Sequence, residues 1–486
     1  MNTGSAASLA RGFLGATGRR LAVLLLVGMP ACSGLLDVKN PNNVNESDLN
    51  NPASAASQAN GTLSSLARAW GIVQTPYAVA TDELTWIGSR DAWQTLDQGT
   101  ISEPTNEFVD AAFPFVGEAR WYADATIKRL AGFAARGVLP DTTDLTRTYL
   151  YGALAYIMVG DFFNNFPIGS DKTNIAPPLG PANMGQVFDT AVAYATRGIA
   201  LAQATGDKDN ELALTAARAV AKYQKAVWAL FPHPAIAGPP PAAPLINDAG
   251  ATADANAALA LAAGLGVPDW KYRFAYSVNT VTTDIGFEVN QRLEMRIGAV
   301  YVYPDCTVSG CTTGGKTVAV DSIKLKDPVT NAPDPDFTAV LAEFLGNTNH
   351  GPLTMLSARE MHLIVAEAAL AAGNNPGFTT AINNLRALNS LTPYSGTPAA
   401  LVMLQYERQA NLFLQGRGGF VGAHVRGSLE ARRVVPDHDH GAAGQPVLRG
   451  QPDELRVRAV AVHPGRSRLQ RDRPRCFSAA PRPRTA

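Results

Sequence analysis

Between Thr81 and Asp97 the chain carries side chains suited to holding a polyhydroxylated ligand. Trp86 and Trp93 offer flat apolar faces, and Arg90 and Asp91 offer paired donors and acceptors. Asp82, Glu83 and Asp97 add further acceptors. Sugars need this mixture, because their C–H faces stack on aromatic rings while their hydroxyls seek polar partners. The competing reading is that both tryptophans fill the core of a folded loop. A second aromatic group runs from Trp270 through Tyr272, Arg273 and Tyr276 to Tyr301. From it Trp270 and Tyr301 join Trp86, Arg90, Asp91 and Trp93 as expected ligand contacts, although such rings also pack small sheets onto helices.

Hydrolytic chemistry has fewer candidates. Glu360 and Glu367 lie seven residues apart and so share one helix face. A half-buried carboxylate needs a partner, which Arg386 or Arg408 can supply. These four are read as structural ion pairs that hold the last helices together. A catalytic acid pair is the sharper alternative, and it would need an open cleft. Of seven histidines only His233, His350 and His362 precede residue 417, and no G-x-S-x-G or H-E-x-x-H pattern occurs. No catalytic residue, metal or cofactor is expected. The stretch from Gly310 to Thr317 fits the phosphate-loop pattern, but the alternation after Val318 is that of a strand rather than the required helix. It reads as a hairpin tip, with Cys306 and Cys311 placed to form a disulfide across it in an oxidising compartment.

Export is signalled at the start. Arg11, Arg19 and Arg20 precede a short apolar run from Leu21 to Met29, and Cys32 follows directly. That run is too short to stay in a bilayer as a helix, and a signal peptide over residues 1–31 with lipidation at Cys32 is expected. A formal net charge of zero gives no field for drawing nucleic acid. At the other end, residues 417–486 lose lysine and apolar periodicity and gain Arg, Pro, Gly and His. They read as an Arg/Pro-rich tail, a frame-shifted or disordered end in a G- and C-rich gene. A genuine basic arm is the alternative.

The elements that must position these groups are mainly helices. Helical spacing of apolar residues runs from Asp48 to Ala69, from Phe115 to Arg136, from Tyr149 to Gly160, from Met184 to Ala204 and from Leu212 to Leu230. Asp141 or Thr143 can cap the Tyr149 helix. Gly152, Ala153 and Ala155 let a neighbouring helix come close. Gly160 is read as a permissive backbone where that helix runs out before an aromatic corner from Asp161 to Phe166. The fold class expected is mainly α, with stacked helix-turn-helix pairs and a loop-rich, partly β insert at about 232–350.

Several stretches resemble the SusD/RagB family of outer-membrane nutrient-binding lipoproteins. The Leu36–Asn43 lead is similar to a family start, "LDV.NPN", and the corner after Gly160 resembles "GD.P". The run Arg359, Glu360, Ala366, Glu367, Ala368 resembles "R..E.YLI.AEA", with His362 where tyrosine is common. Glu407, Arg408, Gly416 and Arg417 resemble "ER..EL..EG.R", with Asn411 and Gln415 in place of carboxylates. The resemblance implies one nutrient-binding domain over 32–416 that is lipid-anchored at the cell surface. It implies that the chain takes up an oligosaccharide or peptide and delivers it to a TonB-dependent, SusC-like transporter without breaking a bond. A secreted helical glycoside hydrolase using a carboxylate pair is the alternative.

Overall fold

The computed structural model describes residues 46–98, 105–169, 176–230, 245–279, 281–303, 323–347 and 349–417. Cys32 and the targeting segment, the phosphate-loop-like pattern, Cys306, Cys311 and residues 418–486 lie outside them. The chain divides into two compact units. The first ends at Asn51, and its described part is a one-turn helix, Glu46–Leu49. The second begins at Pro52 and carries everything that follows.

The second unit is mainly helical, as expected. Helix α1 spans Ala55–Ala80, strand β1 Leu84–Trp86 and helix α2 Asp91–Asp97. Helices α3 (Glu107–Ala135), α4 (Thr142–Phe162), α5 (Gly185–Thr205), α6 (Lys208–Leu230) and α7 (Ala249–Gly264) follow. Each of α3 to α6 packs on the next. After strands β2 (Lys271–Phe274) and β3 (Met295–Ile297) come helix α8 (Pro335–Gly346) and strand β4 (Leu353–Ser357). Helices α9 (Ala358–Ala371), α10 (Asn375–Ala387) and α11 (Ala400–Asn411) close the order, and α9 packs on α7, α10 and α11. The stretch expected as loop and β thus also contributes two helices, α7 and α8.

Local chemistry explains the boundaries. Asp141 caps α4, its carboxylate accepting the Thr143 N–H at 2.8 Å. Asn106 caps α3 by accepting from Phe108 and Val109. Helix α1 continues past Ala69 and through Pro76, because Trp70, Val73 and Tyr77 lie on its buried face. Packing overrides the weak propensity of Gly71 and Pro76. Gly160 is not a helix end: α4 runs on to Phe162, and a Cβ at Gly160 would stand 2.3 Å from the Phe188 ring. Its role is close helix packing rather than backbone permissiveness. The aromatic corner is core. Phe162 meets Trp70 and Tyr77 edge-on, and Phe163 and Phe166 pack on Phe113.

The strands form two separate antiparallel pairs, β1 with β3 and β2 with β4. In the first, Leu84 faces Ile297 and Trp86 faces Met295.

Candidate functional site

The β1–β3 pair joins the two stretches that carry the expected ligand contacts. Its partners lie some 200 residues apart, as the 205-residue separation between Ser89 and Glu294 shows. Two close approaches make the joint possible. A Cβ at Gly88 would meet the Glu294 carboxylate at 1.9 Å, and one at Gly298 would meet the Asp82 carbonyl oxygen at 1.9 Å. Only glycine admits this contact.

Glu294 fixes the turn that presents Arg90. Its carboxylate accepts the backbone N–H groups of Ser89 (2.9 Å) and Arg90 (3.2 Å) and the Ser89 hydroxyl (3.1 Å). Burial alone would raise its pKa, but these bonds and Arg292 hold it below the usual carboxylate range. Arg90 then lies 4.1 Å above the Phe108 ring, which stacks face to face on Trp93 at 3.4 Å. Arg90 also donates to Glu107 at 2.8 Å. Beneath it is Glu288, on a single π-helical turn, Phe287–Gln291, of the kind that often marks functional positions. Glu288 is buried with one oxygen unpartnered. Burial, then the neighbouring Asp284, pushes its pKa up to about 7. Asp284 is itself raised by burial and accepts from the Thr75 hydroxyl at 3.3 Å.

The expected contacts separate into two groups. Trp86 is half-buried, Arg90 keeps 30% of its side chain exposed, and Asp91 opens α2 at the surface. Trp93 is fully buried in its stack, and Tyr301 is packed between Phe337 and Phe413. Their rings have no open face, which corrects the expectation for these two. Trp270 is half-buried but precedes β2, beside Tyr272, on the other strand pair. Sequence reasoning missed Ile87, Arg292, Leu293 and Glu294. Ile87 and Leu293 are exposed at 39% and 45%, and Leu293 has a left-handed backbone, φ +62°. No residue-type pattern marks that conformation for a leucine.

The C-terminal ion pairs lie elsewhere, in the core. Glu367 pairs with Arg408 at 3.0 Å and also accepts the Tyr223 hydroxyl at 2.7 Å. Glu360 pairs with Arg417, not with Arg386 or Arg408. Arg386 instead holds Asp327 (2.8 Å) and Glu407 (2.9 Å). Glu360 and Glu367 have almost no exposure, so no cleft opens beside either for acid catalysis. Arg417, placed at the start of the tail by composition, is buried and also donates to the Met355 carbonyl. Burial and then Arg359 push the His362 pKa down to about 4, so this histidine is a neutral packing group at physiological pH. Among the described residues no cluster of His, Cys, Asp and Glu could hold a metal ion, and no helix is long and apolar enough to cross a membrane.

No family model and no curated protein sequence matches the chain. Solved structures do. A SusD homologue from Bacteroides thetaiotaomicron is similar with a TM-score of 0.51 at 13% identity, over 80% of this chain and 91% of that one. A SusD superfamily protein from Parabacteroides distasonis is similar with a TM-score of 0.50 at 11% identity, over 76% and 88%. The likeness at such identities is one of fold. This chain has the mainly helical, SusD-like fold that its motifs resemble.

Proposed function

We propose that this protein is a nutrient-binding lipoprotein of the outer membrane. It captures an oligosaccharide at the β1–β3 face and passes it, unbroken, to a TonB-dependent SusC-like transporter. Cys32 carries the lipid that holds it at the cell surface. The observation that carries the reading is the joining of the 81–97 stretch to the 284–297 stretch. It sets half-buried Trp86 and Arg90 and exposed Asp91 beside exposed Ile87 and Leu293. An aromatic face, a guanidinium and apolar edges are what a sugar ring and its hydroxyls require. Trp270, on the other strand pair, is a more distant contributor. The SusD-like fold supports the assignment, and the N-terminal sequence supports the anchor.

Calorimetry against a panel of oligosaccharides, with product analysis of the same mixtures, tests this. Binding without product is expected. Trp86→Ala is expected to weaken it about tenfold, on the scale of one lost stacking contact. Release of shortened sugars would instead favour the hydrolase.

A further inference from the structure

We propose that Arg90 and Arg292 together form a fork for a carboxylate, so that the saccharide taken at this face is a uronate-bearing one. This rests on the glycan-binding reading above and adds its ligand class. The two guanidinium groups come from distant parts of the chain and converge on one atom. Each has its Nη1 3.8 Å from Glu288 Oε1. Arg292 Nε lies 4.0 Å from Glu294. These distances balance charge but exceed hydrogen-bond length, so the carboxylates below do not consume the donors. Arg90 gives one nitrogen to Glu107 and keeps 30% of its side chain exposed, and Arg292 keeps 42%. A guanidinium presents several N–H groups in a plane that matches the two oxygens of a carboxylate.

The charge around the fork favours an incoming anion more than a count of acids suggests. Four carboxylates face the two arginines: Glu107, Asp284, Glu288 and Glu294. Glu294 spends its charge on the Ser89 and Arg90 backbone. Burial and then the neighbouring Asp284 push the Glu288 pKa up to about 7, towards its neutral form, and burial raises Asp284 in the same direction. Burial thus reduces the negative charge that an incoming anion would meet beside the two guanidinium groups. A carboxylate reaching both guanidinium groups gains charge-assisted hydrogen bonds that a neutral hydroxyl does not. Ile87 and Leu293 flank the fork, since the Ile87 N–H bonds the Glu294 carbonyl at 2.9 Å. Their exposed aliphatic surface suits the C–H face of the ring that carries the acid.

The test is calorimetry of the full chain against uronate-containing oligosaccharides, the methyl esters of the same sugars, their sulfated counterparts and neutral glucans. The acids are expected to bind about tenfold or more tighter than their esters at low salt, with the gap closing as salt is added. Arg292→Gln, at an exposed position, is expected to keep the melting temperature and to lose the preference for acid over ester. Equal binding of acid and ester, or tighter binding of the sulfated sugars, overturns the carboxylate fork and leaves glycan capture standing. Failure of every sugar in the panel removes both.

Discussion

Glu83 has no exposed surface and no hydrogen-bond partner on either carboxylate oxygen. It is one of several unmet polar groups in this part of the core, with both ends of the Gln74 amide and the Tyr77 hydroxyl. Burial pushes the Glu83 pKa up to about 8, and the Leu414 backbone N–H pulls the other way from outside bonding geometry. The folded chain thus prefers the neutral acid. Its stability is fully present below the unfolded value of 4.5 and is lost as pH rises towards 8. Asp161, raised to about 7 by burial against the pull of Arg417, acts in the same direction. Melting temperature is therefore expected to fall between pH 5 and 8, and Glu83→Gln is expected to flatten that fall. An unchanged slope in the variant would mean that Glu83 is not the titrating group. None of this is legible in the sequence, where Glu83 reads as one more acceptor for a ligand. Residue type does not reveal that a carboxylate next to β1 is enclosed by elements that arrive much later in the chain.

Helix α4 shows what could be read and what could not. Its apolar spacing, its cap at Asp141 and its close-packed small residues follow from local chemistry, because a helix writes its buried face at fixed intervals. The role of Gly160 did not follow, since it depends on Phe188 from α5. Gly160→Ala places a methyl group 2.3 Å from that ring. Urea denaturation is expected to show a loss of about 1–3 kcal/mol, the range for overpacking a filled core. A neutral result would mean that the α4–α5 contact can open without cost. The strands were the hardest elements to read. Those of the β1–β3 pair are three residues each, and their partners are remote. Neither alternation nor turn chemistry has room to register in so short a run. Arg292 was missed for the same reason, since it directly follows the π turn and lies just before one of these strands.

At the scale of the molecule, Arg417 ties the final described residues to much earlier ones. It pairs with Glu360, lies 3.5 Å from Asp161 and donates to the Met355 carbonyl. Removing one partner of such a pair leaves a buried charge unmet. Arg417→Met is expected to cost about 3–5 kcal/mol in chemical denaturation, whereas a loss under about 1 kcal/mol would be typical of a solvent-exposed pair. The carboxylates on α9 were legible as structural, and so was Arg408, which Glu367 takes, but the partner of Glu360 was not, because Arg417 lies past the last helix. While the chain is being made, the early tryptophan waits for some two hundred further residues before its opposite strand exists. The face that β1 and β3 build therefore forms only late in synthesis, and a polypeptide ended before the second strand would lack it.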